Sequence, residues 1–241
     1  MSLIAVEREG AVALVRLDRD EKLNAISTAL ERELSDALAS DDVRSSRAVV
    51  IAGTGRAFSA GADITEFADR DPEAILRYYR ETGNVYEELA SLPQPTLAAI
   101  HGYCLGGGLE LALAADFRIA DQSAVLGFPE VGLGILPSSG GTVRATRLLG
   151  AARAKNLILL GDRIPALEAL ALGLVGEVVA DAPARALELA RRLAELPPAA
   201  VAVAKAAIDA AAESSHEAAL LIERIGYGLL AQTEDARKAL E

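Results

Sequence analysis

The sequence predicts an α/β fold that gives way to an all-helical C-terminal region. Two patterns carry that expectation: strand-like runs alternate with helix-period segments up to about residue 182, and beyond it every segment has the helical period. A third observation sets the scale, since 241 residues with 51% hydrophobic and 24% charged side chains suffice for one sizeable core and a smaller appendage. No repeat of fixed period and no low-complexity tract divides the chain.

In chain order, residues 3–8 and 11–17 flank Glu9-Gly10 and read as a hairpin. Ser27 is placed to N-cap a helix reaching about residue 39. The apolar run 48–52 reads as a buried strand, 96–100 as another ahead of Gly106-Gly107-Gly108, and 109–115 as a short buried helix. Short strands are expected near 117–120 and 175–179. Pro197-Pro198 separates a helix near 183–195 from two more, near 199–213 and 215–231. The chain thus divides into an α/β core, 1–196, and a helical region, 197–241. There Ala200, Val201, Val203, Ala204, Ala207 and Ile208 cover much of one helix circumference, which points to packing on a core or on a neighbouring subunit.

Charge and composition exclude several function classes. The balance of 24 Lys and Arg against 35 Asp and Glu gives a net charge of −11, with no basic cluster longer than a pair, so neither nucleic acid nor an anionic membrane is an expected partner. The N-terminus lacks the basic and apolar regions of a secretory signal. Lys205, Asp209, Glu223 and Arg224 interrupt the late apolar runs, so no membrane span is expected. The solitary Cys104 excludes an internal disulfide and fits a cytoplasmic location. His101 and His216 lie far apart, so no zinc pattern arises and no metal is expected. Gly53-Thr-Gly55 misses the dinucleotide fingerprint, and no Gly-Lys-Ser/Thr follows a glycine pair.

The candidate chemistry lies in the least polar stretch, where Glu110 and Glu130 stand twenty positions apart. Burial among Leu, Ala and Gly raises a carboxyl pKa toward neutrality, and two such groups suggest an acid and a base. The loops Ser59-Ala-Gly-Ala62 and Gly106-Gly107-Gly108 are small enough for backbone N–H groups to approach a ligand. An oxygen held between them would occupy an anion site, reinforced by the positive end of the following helix. Plainer readings stand beside these: Glu110 as a first-turn charge favoured by the helix dipole, and Glu130 as a solvated loop carboxylate. Asp63 reads as a local backbone acceptor, Asp116 and Arg118 as a structural ion pair or hydrogen-bond network, and His101 and Cys104 as structural.

Glu21-Lys-Leu-Asn-Ala-Ile-Ser27, Arg56-Ala-Phe-Ser-Ala-Gly-Ala-Asp63-Ile64 and Pro95-Thr-Leu-Ala-Ala-Ile-His-Gly102 precede the glycine triplet with Glu110. Asp116-Phe-Arg-Ile-Ala120, Phe128-Pro-Glu130 and Gly140-Gly141-Thr142 follow it. In these motifs and their order the chain resembles the enoyl-CoA hydratase/isomerase, or crotonase, family over about residues 3–238. The resemblance implies a crotonase-like spiral of ββα units, then a helical region used for trimerisation in a homotrimer or dimer of trimers. It implies an acyl-CoA thioester substrate, with coenzyme A part of that substrate and no separate cofactor. Ala62 and Gly107 match the family's backbone N–H pair for the thioester oxygen, and Ala60, Ala62 and Ile64 match positions that approach the adenine and pantetheine end. Glu110 and Glu130 match the glutamates that flank the double bond in family hydratases. The implied activity is syn addition of water across a 2-enoyl-CoA to give a 3-hydroxyacyl-CoA, Glu110 activating water for Cβ and Glu130 protonating Cα.

Three positions depart from the family pattern. Pro137-Ser138-Ser139-Gly140-Gly141 stands where hydratases commonly read Pro-Gly-Ala-Gly-Gly, so Ser138 replaces a glycine that often helps to hold the water. Thr65 stands where many relatives carry Lys, and residues 233–241 lack the usual Phe-x-Glu-Lys-Arg tail, with Lys238 a partial substitute for its CoA contact. A double-bond isomerase, an acyl-CoA hydrolase or decarboxylase, and a silent acyl-CoA binder therefore remain alternatives. Acyl-pocket walls are expected within 72–92, including Tyr78, Tyr79 and Tyr86.

Overall fold

Small and β-branched residues form the strands at the centre of the molecule, and in β3 all six are buried. The computed structural model describes residues 2–66, 73–74 and 85–239. The expected hairpin is present as β1 (Ile4–Glu9) and β2 (Val12–Leu17), antiparallel with Ile4 opposite Leu17. Helix α1 (Thr28–Ala39) begins where Ser27 Oγ accepts the Leu30 N–H at 3.2 Å, the cap expected from sequence. A single turn α2 (Asp41–Arg44), β3 (Ala48–Gly53), β4 (Ala57–Ser59) and α3 (Val85–Ala90) follow. The next passes are β5 (Thr96–Ile100), β6 (Tyr103–Leu105) and α4 (Gly107–Ala114), then β7 (Phe117–Asp121) and β8 (Val125–Gly127). A 3-10 turn at Glu130–Leu133 leads to α5 (Gly141–Leu149), α6 (Ala151–Leu159), β9 (Ile164–Pro165), α7 (Ala166–Leu172) and β10 (Glu177–Val179). The chain ends in α8 (Ala182–Ala194), α9 (Pro198–Glu213), α10 (His216–Leu230) and α11 (Glu234–Ala239).

From β3 to β8, successive strands fall alternately into two sheets. One has six strands in the order β1-β2-β3-β5-β7-β10, parallel from β2 onward, and the other has four in the order β4-β6-β8-β9. The pairs β3–β4, β5–β6 and β7–β8 each give one strand to each sheet before a helix returns the chain, so the backbone winds as the expected spiral of ββα units. The small sheet was not expected, because its strands span only two or three residues and carry no period-two signal.

Side chains of β3 alternate across the large sheet. Val49 and Ile51 enter the main core with Phe58, Leu109 and Phe128, while Ala48, Val50 and Ala52 face α8. On α8, Ala182, Ala186, Ala190 and Ala194 make a stripe at four-residue spacing, and their small size lets the helix lie close to the sheet.

Helices α9 and α10 pack against each other, and α9 is tied to the core by Lys205 and, through Glu213, to Arg147 of α5. Lys205 Nζ lies 2.9 Å from Asp116 Oδ2, an ion pair without hydrogen-bond alignment. That Asp116 oxygen also accepts from Thr96 N at 2.8 Å and Thr96 Oγ1 at 3.0 Å. Asp116 and Arg118 enter structural hydrogen-bond networks, as expected, though with different partners: Asp116, just before β7, accepts from Thr96, while Arg118 donates to the carbonyls of Leu174 and Ala115. Apolar Ile208, Leu221, Ile225 and Leu229 remain exposed on these helices. Among the described residues no helix is long and apolar enough to cross a membrane.

Candidate active site

The loop after β4 is shaped by the segment around Asn24. Ala60 N donates to Leu23 O at 2.9 Å, Ile26 N to Gly61 O at 2.8 Å, and Asp63 N to Ile26 O at 2.8 Å. Asn24 is buried, and its amide donates to Thr54 O and Ala57 O at 2.9 and 2.7 Å, fixing the approach to the loop. Because Ile26 bonds residues 61 and 63, the Ala62 N–H faces the other way, and no described residue accepts it.

The second donor comes from a helix start. α4 begins at Gly107, two residues earlier than expected, so the Gly107 N–H lacks an intrahelical acceptor, and no other described residue takes it. The two loops touch: a Cβ on Gly107 would stand 3.3 Å from Ala62 N, and one on Gly61 3.5 Å from Gly107 N. Two unpaired backbone donors thus lie side by side, with the α4 dipole behind one of them.

Glu110 occupies the first turn of α4 and is only 4% exposed. Its Oε1 accepts from Ser139 N at 2.7 Å and Gly141 N at 2.8 Å. Burial pushes this carboxyl up, while the two amides and the Arg144 charge pull it back. Gly141 is required by the contact, since a Cβ there would stand 2.7 Å from Glu110 Cγ. The amides that hold Glu110 belong to Ser139 and Gly141, which sequence reasoning did not single out, and Ser138, expected to face the water or substrate, is exposed one residue before them.

Glu130 opens the 3-10 turn at 8% exposure, and its backbone carbonyl accepts from Gly134 and Ile135. Its Oε2 is buried and has no hydrogen-bond partner among the described residues. Burial pushes the carboxyl up to about 7, and the charge of Glu110 adds to the shift. Gly106 comes close to it at φ +49, and a Cβ there would stand 2.7 Å from Glu130 Oε1. The glycine triplet therefore meets Glu130 at Gly106 and Ala62 at Gly107, with Glu110 on the same helical turn.

The remaining candidates divide cleanly. Asp63 accepts from Thr65 Oγ1 at 2.6 Å and from Arg19 at 2.8 Å, and those bonds, led by the Thr65 hydroxyl, hold its carboxyl below the usual range. It accepts the Thr65 N–H at 3.3 Å, the local backbone bond expected, and Arg19 adds a tie to a segment far earlier in the chain. His101 Nε2 lies 3.1 Å from Gly55 O, and Cys104 is a core residue whose thiol burial pushes up. Ala60 is half-buried, and Ala62 and Ile64 are exposed at the rim of the loop. Tyr86 is buried, with its hydroxyl 3.4 Å from where a Gly107 Cβ would be, whereas Tyr78 and Tyr79 lie outside the described residues. Among the described residues no group of three or more His, Cys, Asp or Glu is placed to hold a metal. An open cleft of about 540 Å³ beside Gly53, Gly55, His101 and Asp181 shares no residue with this site.

The family model for enoyl-CoA hydratase/isomerase matches residues 7–241. The chain belongs to the enoyl-CoA hydratase/isomerase family. Within that family it is 36% identical to the short-chain-enoyl-CoA hydratase of Clostridium acetobutylicum, over 98% of this chain and 92% of that protein. It is 38% identical to the 2,3-dehydroadipyl-CoA hydratase of Escherichia coli, over 100% of this chain and 94% of that protein. An enoyl-CoA hydratase structure from Bacillus anthracis matches with a TM-score of 0.93 at 38% identity, covering 99% of this chain and 95% of that one. The two-sheet spiral and helical C-terminus are therefore the fold of the enoyl-CoA hydratase/isomerase family.

Proposed function

We propose that this protein is an enoyl-CoA hydratase that adds water syn across the 2,3 double bond of a 2-enoyl-CoA. The observation that carries the reading is the pair of buried carboxylates beside two unpaired backbone donors. The thioester oxygen accepts from the Ala62 and Gly107 N–H groups, and the negative charge that grows on it is stabilised there. One such donor is typically worth roughly 3 kcal/mol of barrier. Glu110 takes a proton from water as the water oxygen bonds Cβ, the π electrons move toward the thioester, and Glu130 gives its proton to Cα. The two acids titrate as a coupled pair, and the proton left on Glu110 replaces the one Glu130 gave up.

Ala60, Ala62 and Ile64, at the rim, are the proposed contacts for the pantetheine and adenine end, and the reading calls on no metal or separate cofactor. An isomerase needs only one carboxylate to carry a proton between carbons, so two buried glutamates favour hydration. The acyl group is left to assay, because relatives of nearly equal identity are named for a short-chain and for a dehydroadipyl substrate. The proposed region 197–241 supports a homotrimer or dimer of trimers through exposed Ile208, Leu221 and Ile225. Ile225→Glu then lowers the mass seen by analytical ultracentrifugation, and an unchanged mass argues against that surface. A cytoplasmic location is supported by the single cysteine.

The direct test follows loss of the conjugated enoyl-thioester absorbance with crotonyl-CoA, longer enoyl-CoAs and a dicarboxylic enoyl-CoA, in wild type and in Glu110→Gln and Glu130→Gln. Hydration by wild type, a large loss in both variants and retained binding are expected. Thioester binding without turnover on any substrate overturns the hydratase reading.

A further inference from the structure

We propose that Arg144 is a positioning residue that sets Glu110 through the Ser139 carbonyl and couples that carboxylate to α3, the helix bearing Tyr86. The inference rests on the hydratase reading for the role of Glu110, but the contacts that carry it stand by themselves. Glu110 Oε1 is held by the N–H groups of Ser139 and Gly141, two residues apart in one tight turn. For both amides to converge on one oxygen, the peptide units between them must be fixed in orientation.

Arg144 supplies that constraint. Its Nη1 donates to Ser139 O at 3.1 Å, and its Nη2 donates to Glu87 Oε1 on α3 at 2.6 Å. Gly140 takes φ +98, and a Cβ there would stand 2.0 Å from Arg144 Nη1, so this glycine both makes the turn and leaves room for the guanidinium. The Arg144 side chain is 17% exposed and Glu87 64% exposed, so the pair is worth little as a surface salt bridge. Its value is geometric: a planar fork reaches a carbonyl and a carboxylate at once, which a lysine ammonium does not reproduce. The preceding residue of α3, Tyr86, lies beside Gly107. Arg144 therefore joins the wall of the oxyanion loop to the turn that holds the proposed base.

The groups facing Glu110 are the Ser139 and Gly141 amides, the Arg144 cation from α5 and the Glu130 carboxyl from the 3-10 turn. Removing the cation leaves Glu110 easier to protonate.

The test compares Arg144→Met, Arg144→Lys and Glu87→Gln with wild type in two readouts: the pH dependence of crotonyl-CoA hydration, and deuterium exchange of the peptide spanning residues 137–142. For Arg144→Met, kcat falls about 10–100-fold with KM nearly unchanged, as expected for a small misplacement of a reacting group. Its acidic limb moves to higher pH and the 137–142 amides exchange faster. Arg144→Lys restores the limb but not the full kcat, and Glu87→Gln, at the exposed end, gives a smaller loss of kcat with raised exchange. Unchanged kcat, limb and exchange in Arg144→Met overturn the proposal. If that variant does not fold, wild-type exchange in both Arg144→Lys and Glu87→Gln overturns it instead. A wild type that does not hydrate any enoyl-CoA overturns the hydratase reading, while exchange still decides whether Arg144 holds the turn.

Discussion

Glu110 and Glu130 flank the same glycine triplet and are buried to similar degrees, yet their surroundings differ in kind. Two backbone amides meet one oxygen of Glu110, whereas Glu130 Oε2 has no hydrogen-bond partner among the described residues. Amides aimed at a carboxylate favour its ionised form, and burial without a partner favours the neutral one. The difference lies in the backbone around each side chain, and it supports the proposed roles, Glu110 as the base and Glu130 as the proton donor.

Several substitutions break or sharpen that contrast. Glu110→Gln and Glu130→Gln are expected to lower kcat for crotonyl-CoA by about 10²–10⁴-fold each. Steady-state kinetics check this, and the double variant is expected to fall little further, because the two groups act as a unit.

Stability responds next. With a folded pKa near 7 against an ordinary 4.5, Glu130 is protonated in the fold over a range where the unfolded chain is ionised. Its favourable contribution is full below the unfolded value and is lost as pH rises through about 7, a change of roughly 3 kcal/mol. Urea denaturation of wild type and Glu130→Gln from acid to mild alkali is expected to show this slope only in wild type.

The smallest effects come from the glycines that shape each cradle. Gly141→Ala forces a Cβ toward Glu110 and is expected to lower kcat about 10–100-fold. Gly106→Ala crowds Glu130 and also places a side chain at positive φ, so it adds a loss of about 1–3 kcal/mol in stability. Kinetics and thermal melts check both, and both variants are expected to melt lower, Gly141→Ala through its contact with Glu110 and Phe128 and Gly106→Ala through its positive φ as well.

The contrast also marks how far the sequence could be read. The Ser27 cap, the buried run of β3 and the two glutamates are legible because cap chemistry, hydrophobic period and motif order are properties of side chains. The small sheet escaped because strands of two or three residues have no period, and α5 to α7 because Gly150 and Gly161 interrupt their pattern. The amides of Ser139 and Gly141 escaped for a different reason: every residue but proline has an N–H, so composition does not say which one will point at Glu110. The Lys205–Asp116 pair joins segments far apart in the chain, where no local spacing announces it.

The measurement closest to the central claim is the pH dependence of kcat/KM for crotonyl-CoA hydration in wild type and Glu130→Gln. The account predicts a bell in wild type whose upper limb falls near pH 7, and the loss of that limb in the variant. An upper limb that persists unchanged in Glu130→Gln would contradict the assignment of the proton to Glu130.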